Sequence, residues 1–401
     1  MRRMRWLLVV DHFDDPPVLG TTVIAYHWAR TLRGRGHEVD LLCARDPWDE
    51  RWEPFYREHG LGRLELPGSP VRGKVAQALA ALVGWVPPSV AHVRARTLAG
   101  WLAPDGRAPY DAAVLVGPAL LPLAEALRGK CPVVYVPVDA ISMVLESWRV
   151  RGIRRPSDLR WRVEARLWRR LERRRFPRLD AVVFVAPADA HAATRRWPRD
   201  ALDRVHVIPN GVDAAYFRPT GEAARPGALV FTGNLWTADS VIGARWFAEE
   251  VFPRVVEAVP EATLRLVGRD PAPEVAAMAE SDRRIEVHAN VPDLRPFLAE
   301  AAVYVCPLRS GGGVKNRLLE ALAMGKPAVA TSRCGAALGL DDGRHLLFAD
   351  EPEGFADAVI RLLRDTALRD ALAAEGRRVV EERFSWEAGV ARLEEIVDAL
   401  R

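Results

Sequence analysis

VYVCPLRSGGGVKNRLLEALAMGKPAVAT, residues Val303–Thr331, predicts a strand, a glycine turn, a helix and a second strand in that order. The first strand is a β-branched and aromatic run that ends at Cys306-Pro307. Gly325 stands where the glycine after a helix belongs, and Pro327 prevents the helix from continuing. The segment therefore predicts one repeat of an α/β pattern.

The glycine turn of this segment predicts an anion site. Gly311–Gly313 precede a helix that is expected to begin at about Val314. The first N–H groups of that helix and the positive end of its dipole are open to an anion such as a phosphate. Lys315 and Arg317 add positive charge where the first turn of a structural helix prefers Asp or Glu.

One face of this predicted helix carries Asn316, Arg317 and Glu320, because successive residues are ~100° apart. An arginine and a glutamate together beside a glycine turn favour a binding site over a buried helix. The alternative is a solvated i,i+3 ion pair beside an ordinary loop, which would contribute little to stability. The opposite, core-facing side is formed by Leu318, Leu319 and Leu322.

Length and composition indicate two domains in a reducing compartment. A chain of 401 residues suits two domains of roughly 200 residues, and 49% hydrophobic residues supply two cores. The four cysteines form no CxxC pair, so they predict no metal framework. The apolar run Trp6–Val10 is too short for a signal peptide, and no stretch reaches ~18 apolar residues. We therefore expect a cytoplasmic protein without a transmembrane helix.

The positive charge is concentrated in one segment. Arg149–Arg178 contains thirteen arginines against three acidic residues, with tryptophans and a four-residue apolar repeat among them. A solvated helix face is the favoured interpretation, and peripheral contact with an acidic membrane or an anionic acceptor is the alternative. No nucleic-acid-binding signature accompanies the segment, so nucleic acid is not an expected partner.

The first half of the chain predicts a parallel sheet that begins with Trp6–Val10. A turn containing Gly20 follows, and then a helix to about Arg33, for which Thr21 or Thr22 would be the cap. Ligands of open α/β sheets lie at the carboxyl ends of strands, so this turn is a candidate phosphate contact. One glycine is by itself a weak signal.

Asp139 is a second polar group at a strand end in this half. It comes shortly after the predicted strand Pro132–Val136. A role with substrate and a structural role in an Asx turn or helix cap are equally compatible with this position.

The second half repeats the pattern from residue 228. The strand Ala228–Thr232 ends at Gly233-Asn234, and the strand Thr263–Val267 ends at Gly268. Long helices are expected at Val241–Val259 and Gly354–Arg378, and a last helix after Ser385. The predicted domains are 1–207 and 208–383, and the helix in 384–401 is expected to pack back on the first domain.

Four motifs give the chain a resemblance to a known family. Two α/β domains that carry these motifs resemble the GT-B glycosyltransferases, and most closely the retaining family 4 enzymes. The resemblance implies an α/β fold of two Rossmann-like, doubly wound parallel-sheet domains that face a central cleft. The motifs are IPNGVD at 208–213, Val267-Gly268, EALAMGKP at 320–327 and FSW at 384–386.

This resemblance implies a nucleotide-diphosphate sugar bound between the domains. In the family, the glutamate at the position of Glu320 binds the ribose hydroxyls, which suits an ionised carboxylate facing a diol. The glycine turn would donate N–H groups to the diphosphate, and Gly20-Thr21 would approach it from the first domain. No cofactor or metal is expected, because side-chain cations would take the place of a metal ion.

Three departures from the family pattern affect the sugar end of the site. Gly312 stands where the family commonly has a second glutamate that contacts the donor sugar. Asn234 replaces an arginine, and the lysine usually found several residues later is absent. A histidine near the donor sugar is also usual, and His12 and His92 are the candidates. Lys315 and Arg317 would supply the missing positive charge.

The expected reaction is transfer of a sugar to an acceptor hydroxyl with retention at the anomeric carbon, in glycan, glycolipid or polysaccharide biosynthesis. The alternatives are a nucleotide-sugar epimerase on the same fold and a catalytically degenerate partner subunit. The acceptor, whether glycan, lipid-linked sugar or small molecule, is not encoded in a recognisable motif. The predicted catalytic residues are Asp139, Lys315 and Arg317. The predicted donor-binding residues are Gly20, Thr21, Gly233, Asn234, Gly268, Val291, Gly311, Gly312, Gly313, Val314, Lys315, Arg317, Leu318 and Glu320.

Overall fold

A computed structural model describes residues 2–12, 20–44, 53–64, 73–91, 93–147, 157–309, 316–336 and 338–401. The chain divides into two compact units. The first contains Met1–Pro209 together with Trp386–Arg401, and the second contains Asn210–Ser385. The sequence analysis places these boundaries after residues 207 and 383.

The first unit contains a seven-stranded sheet in the order β3-β2-β1-β4-β5-β6-β7, and its strand pairs are parallel. Its strands are β1 (Arg5–Val10), β2 (Glu38–Cys43), β3 (Gly62–Arg63), β4 (Ala112–Val116), β5 (Val133–Val138), β6 (Ala181–Phe184) and β7 (Val205–Val207). Its α-helices are α1 (Gly20–Gly34), α2 (Glu53–His59), α3 (Lys74–Gly84), α4 (Pro88–Ala91), α5 (Ala95–Leu102), α6 (Leu121–Leu127), α7 (Ile141–Ser147), α8 (Ser157–Arg174), α9 (Pro187–Thr194) and, from the chain's end, α18 (Trp386–Ala399).

The second unit contains a six-stranded parallel sheet in the order β10-β9-β8-β11-β12-β13. Its strands are β8 (Ala228–Asn234), β9 (Thr263–Arg269), β10 (Ile285–Ala289), β11 (Val303–Cys306), β12 (Ala328–Ala330) and β13 (Leu347–Phe348). Its α-helices are α10 (Ala238–Trp246), α11 (Phe252–Ala258), α12 (Pro273–Ser281), α13 (Arg295–Glu300), α14 (Asn316–Ala323), α15 (Ser332–Ala336), α16 (Pro352–Arg364) and α17 (Thr366–Arg383).

Alternate side chains of each strand enter different cores, so helices cover both faces of both sheets. In β11, Val303 and Val305 join one core cluster, whereas Tyr304 and Cys306 join the cluster on the other face. In the first unit, Leu7 and Val9 belong to a core that α3–α9 cover. The opposite face is covered by α1, against which α18 packs. The predicted α/β class with two doubly wound parallel sheets is confirmed.

Two predicted helices are interrupted in the structure. The expected helix Gly354–Arg378 is wrong, because Asp365 ends α16 and its side chain accepts from the Leu368 N–H as the N-cap of α17. The expected helix Val241–Val259 begins three residues earlier, and a π turn at Phe247–Val251 separates α10 from α11. The apolar repeat continues across both breaks and hides them, although Asp365 is a preferred N-cap residue and Pro253, just after the π turn, has no N–H to donate.

Candidate active site

The glycine turn that the sequence analysis singled out lies outside the described residues. Residues 310–315 include Gly311–Gly313, Val314 and Lys315, so their roles stay predictions. The helix that follows is α14, which carries Arg317 and Glu320 and begins at Asn316. In the chain, α14 connects β11 to β12. Its first turn therefore lies at the carboxyl end of β11, where ligands of parallel sheets bind.

Arg317 and Glu320 form an ion pair at the start of α14. The Arg317 Nη1 atom lies 3.0 Å from Glu320 Oε1 and 2.8 Å from Oε2. The Glu320 side chain is 12% exposed and that of Arg317 is 34% exposed. Burial raises the pKa of the Glu320 carboxyl, and Arg317 opposes this rise. The i,i+3 ion pair, which the sequence analysis gave as the alternative to a binding site, is therefore present, although the Glu320 side chain is largely buried instead of solvated.

The surroundings of this pair fix the position of α14. Asn210 is buried, and its side-chain amide donates to Asn316 Oδ1 at 3.0 Å. The fully buried Tyr304 hydroxyl lies 3.2 Å from Thr232 Oγ1 and joins β11 to β8. Leu318, predicted as a donor contact, is fully buried in the core, so its side chain is not available to a ligand.

Gly233 and Gly268 lie side by side where β8 and β9 end. A Cβ atom built on Gly268 would be 1.7 Å from the carbonyl oxygen of Gly233, so no other residue fits there. The Asn234 carbonyl accepts from the N–H and hydroxyl of Thr237, which starts the turn into α10. The two glycines therefore have a structural reason for their identity, namely the close approach of two strands.

A hydrogen bond from a main-chain N–H to a side chain joins the ends of β9 and β10. Asp270 and Asn290 both have positive φ, and the Asn290 side chain accepts from the Asp270 N–H at 3.1 Å. Val291 follows and packs partly against the core. The predicted donor residues thus lie at the carboxyl ends of neighbouring strands, as the strand order β10-β9-β8 requires. Gly233 and Asn234 end β8, Gly268 is near the end of β9, and Val291 follows β10.

The first unit gathers its own polar groups at the carboxyl edge of its sheet. Gly117 follows β4 with φ 126°, and a Cβ atom there would meet Thr21 at 3.7 Å and Asp11 at 3.9 Å. A Cβ atom on Gly20 would meet Val138, at the end of β5, at 3.8 Å. The start of α1 therefore lies against the ends of β1, β4 and β5. Gly20 is the first residue of α1, so the predicted caps Thr21 and Thr22 are wrong and lie within the first turn.

Asp139 follows β5 at this edge, in a loop that two buried carboxylates hold. Asp189 on α9 accepts from the Ala140 N–H at 2.9 Å. Glu172 on α8 accepts from the Ser142 N–H at 2.9 Å and from the Ser142 hydroxyl. Burial raises the pKa of Glu172, and the two Ser142 bonds oppose this rise. The sequence analysis missed both carboxylates, since they come from helices more than 30 residues away.

The two candidate histidines have different outcomes. His12 follows β1, and its Nδ1 atom is 3.6 Å from Asp11 Oδ2, which places it at the same edge as Asp139. His92 lies outside the described residues.

Among the described residues, no group of three or more His, Cys, Asp or Glu side chains is arranged to hold a metal ion. In the same part of the chain, no helix combines the length and apolarity needed to cross a bilayer.

Profiles of known protein families match both units of the chain. Residues 18–216 match the profile described as Glycosyltransferase Family 4, and residues 226–365 match the profile described as Glycosyl transferases group 1. The chain belongs to the family 4-like glycosyltransferases of GT-B fold. This confirms the resemblance inferred from the motifs at 208–213, 320–327 and 384–386.

Curated relatives of this glycosyltransferase match over part of their length. Phosphatidyl-myo-inositol mannosyltransferase of Mycobacterium leprae is 29% identical over 51% of the chain and 57% of its own length. Alpha-maltose-1-phosphate synthase of Mycobacterium tuberculosis is 29% identical over 52% of the chain and 60% of its own length. The chain thus spans less than two thirds of these relatives.

Solved structures of GT-B glycosyltransferases share the fold over the whole chain. HepE of Anabaena, solved in complex with UDP, has a TM-score of 0.66 and 16% identity, covering 99% of this chain and 100% of its own. Sucrose-phosphate synthase of Thermosynechococcus elongatus has a TM-score of 0.68 and 16% identity, covering 100% and 99%. At this identity the likeness concerns the fold.

Proposed function

We propose that the chain transfers a sugar from a nucleotide-diphosphate donor to an acceptor hydroxyl with retention of anomeric configuration. The observation that carries this proposal is Glu320, a largely buried carboxylate at the carboxyl edge of the second sheet, held by Arg317 at the start of a helix. The family membership and the UDP bound to HepE support a nucleotide-sugar donor.

Glu320 is suited to bind the donor ribose. Two vicinal hydroxyls can donate to the two oxygens of one carboxylate, and such charge-assisted bonds are strong. Arg317 opposes the rise that burial causes in the pKa of Glu320, and the remaining 12% exposure of the Glu320 side chain leaves an approach for a ligand. The carboxylate would therefore act as a clamp on the nucleotide.

Arg317 is suited to stabilise the leaving diphosphate. Its Nη1 atom is engaged by Glu320, whereas Nε and Nη2 form no hydrogen bond with any residue that the structure describes. Donors that are already oriented stabilise charge as it develops on a leaving group. The predicted N–H groups of Gly311–Gly313 and the Lys315 ammonium would add to this positive charge.

We propose that Arg317 and Lys315 take the role that a metal ion has in other sites for diphosphates. Chelation of metal ions with EDTA should therefore leave turnover unchanged.

Asp139 is suited to orient a hydroxyl of a substrate on the first unit. Its loop is held by Glu172 and Asp189, so its position is set by buried groups on two helices. The family resemblance implies that the acceptor hydroxyl attacks the anomeric carbon on the face from which the diphosphate leaves. The bond from the anomeric carbon to the phosphate oxygen breaks, the bond to the acceptor oxygen forms, and the leaving phosphate oxygen takes the acceptor's proton. Asp139 would accept a hydrogen bond without becoming the base. Asp139→Asn should therefore lower turnover while leaving nucleotide affinity unchanged.

The chain is proposed to act in the cytoplasm on a glycan, a lipid-linked sugar or a small molecule. The cysteines Cys43, Cys131, Cys306 and Cys334 are buried and form no disulfide within the part of the chain that the structure describes, which supports a reducing compartment. The relatives named for phosphatidyl-myo-inositol and maltose-1-phosphate support glycolipid or polysaccharide biosynthesis. Peripheral contact of Arg149–Arg178 with an acidic membrane is part of this proposal.

The test is release of nucleoside diphosphate from UDP-, GDP-, ADP- and dTDP-sugars, with and without pooled glycan and glycolipid acceptors. We expect acceptor-dependent release from one donor, with an α-linked product from an α-linked donor by NMR. Conversion of the donor to an epimer without an acceptor would instead establish an epimerase. No binding or turnover of any nucleotide sugar would favour a degenerate partner subunit.

A further inference from the structure

Helix α3 turns its apolar side to solvent. Leu79, Leu82 and Val83 are 59%, 74% and 83% exposed, and Val75 is 77% exposed. At ~100° per residue these four side chains fall within one arc of ~100°, so they form a continuous stripe. Ala81, on the opposite side, is the buried residue that joins the helix to the core. The amphipathic pattern is therefore reversed relative to a helix that packs with its apolar side inward.

An exposed aromatic side chain stands at the end of this helix. Trp85 follows α3 and is 68% exposed. Lys74, at the first position, is the charged residue of the helix. Eleven residues span ~16 Å, too short to cross a bilayer and suited to lie along its surface. Tryptophan favours the interface between water and hydrocarbon.

A second surface in the same helical layer is strongly cationic. A cavity of about 730 Å³ lies between α7, α8 and the end of α9. Arg170, Arg173 and Arg174 are exposed and form no ion pair with any described residue. Among the lining residues that the structure describes, Glu172 is the one carboxylate, and its oxygens accept from Ser142. The arginines that line it are Arg166, Arg169, Arg170, Arg173, Arg174, Arg195 and Arg196.

These two surfaces belong to one side of the first sheet. Ala81 of α3 and Ala165, Trp168 and Leu171 of α8 are members of the same core cluster. The exposed apolar stripe and the exposed arginines are therefore on helices of one layer, outside one core. An apolar helix face favours hydrocarbon, and clustered arginines favour phosphate headgroups. An acidic bilayer offers both chemistries to one layer of helices.

We propose that the α3–α9 layer of the first unit is a docking surface for an acidic phospholipid bilayer. The stripe on α3 inserts at the level of the headgroups, and the arginines around the α8–α9 cavity bind lipid phosphates. The role of this docking rests on the proposed function, since docking would place the enzyme beside an acceptor that is held in the membrane. Its evidence is separate, since neither surface includes a residue of the donor site.

The test is co-sedimentation of the full chain with vesicles of phosphatidylcholine, with and without phosphatidylglycerol. We expect binding to the acidic vesicles, weakened by high salt because salt screens the arginines. Leu79→Gln together with Leu82→Gln should lower the partition coefficient about tenfold. Ile242→Gln, at an exposed apolar side chain of the second unit, should leave it unchanged.

A charge-matched pair tests the cationic surface. Arg170→Gln with Arg173→Gln should lower binding to acidic vesicles about thirtyfold, since arginines near an acidic surface each contribute to binding. Arg254→Gln with Arg283→Gln removes the same charge from exposed positions in the second unit and should have little effect. Equal losses from both pairs would overturn the proposal, because net charge alone would then explain binding.

Three further results would also overturn it. Equal binding to neutral and acidic vesicles would exclude headgroup recognition. A change in molar mass in the α3 variant, with vesicle binding unchanged, would show that the stripe is a contact between copies of the chain. Tight binding of soluble inositol phosphates without vesicle binding would show a small-ligand site. Turnover of a soluble donor, measured without vesicles, reports separately on the proposed function.

Discussion

Glu320 is the residue on which the proposed donor site most directly depends. Its carboxylate is held by Arg317 and retains 12% exposure at a strand edge. We expect Glu320→Gln to weaken nucleotide binding about tenfold, because hydrogen bonds to a charged acceptor are stronger than those to an amide. Titration calorimetry with the nucleoside diphosphate measures this. Glu353→Gln, at an exposed position of α16, is the matched control, and equal affinity in all three proteins would contradict the assignment.

The raised pKa of Glu320 has a consequence for stability. Because burial raises this pKa in the folded state, the native chain holds the proton more tightly than the unfolded chain does. The stability from this group is therefore full below the ordinary pKa of glutamate and is lost as pH rises through the raised value. We expect the free energy of unfolding of the wild type, relative to Glu320→Gln, to fall as pH rises above about 4, the ordinary pKa of glutamate.

Urea denaturation at a series of pH values measures this difference. Glu375 provides a control of opposite sign, because its hydrogen bond with Arg378 lowers the pKa of Glu375 to about 2. Stability from Glu375 is present above the ordinary pKa of glutamate and is lost as pH falls through the lowered value. A relative stability of the wild type over Glu320→Gln that rises with pH would mean that Arg317 outweighs burial.

At the scale of single elements, α14 ends as its sequence predicts. Gly325 has φ 66°, its N–H donates to Leu322, and the Lys326 N–H donates to Ala321, which is the Schellman arrangement. We expect Gly325→Ala to lower the free energy of unfolding by about 1 kcal/mol, because a Cβ is strained at positive φ. Gly34→Ala, in open space at the end of α1, should be neutral or stabilising. Equal effects in urea denaturation would contradict this reason.

The last helix, α18, is joined to the first unit by a buried polar cluster. Glu394 accepts from Arg35 at 2.8 Å and lies 2.7 Å from His37 Nε2. The other ring nitrogen of His37 accepts from the Met4 N–H, so Nε2 carries the proton and donates to Glu394. The side chain of His37 is 1% exposed, so water cannot replace a lost partner.

We expect Glu394→Gln to lower the free energy of unfolding by about 1–2 kcal/mol, because it weakens bonds to a charged group. The amide hydrogens of α18 should also exchange faster in Glu394→Gln than in the wild type. Glu395→Gln, one residue later, breaks an exposed pair with Arg392 and should change stability by about 0.5 kcal/mol or less. If the amide hydrogens of α18 exchange at the same rate in both variants, Glu394 does not hold the helix on the first unit.

For the whole molecule, the proposed function predicts that one nucleotide stabilises the chain. A ligand at ~100 times its dissociation constant adds ~2.7 kcal/mol to the free energy of unfolding. We expect one of UDP, GDP, ADP and dTDP to raise the thermal midpoint, and Glu320→Gln to lose most of that shift. A shift of equal size in both proteins would place the nucleotide away from Glu320.

The local pattern of the chain was sufficient to predict the α/β class, the strand β11 and the shared face of Arg317 and Glu320 on α14. Apolar runs, turn glycines and an i,i+3 spacing act over a few residues, so they can be recognised without a fold. The same local signals failed at Asp365, where a single capping side chain ends one helix and starts the next. The order of the strands has no local signal.

The sequence by itself determined the alternation of strands and helices, the glycine at position 325 and the side of α14 that carries Arg317 and Glu320. Only the tertiary structure decided that Glu172 and Asp189 hold the Asp139 loop and that Gly268 must lie against Gly233. It also decided that α3 presents its apolar stripe outward. These depend on contacts between residues far apart in the chain, and such contacts exist only once the sheets have formed.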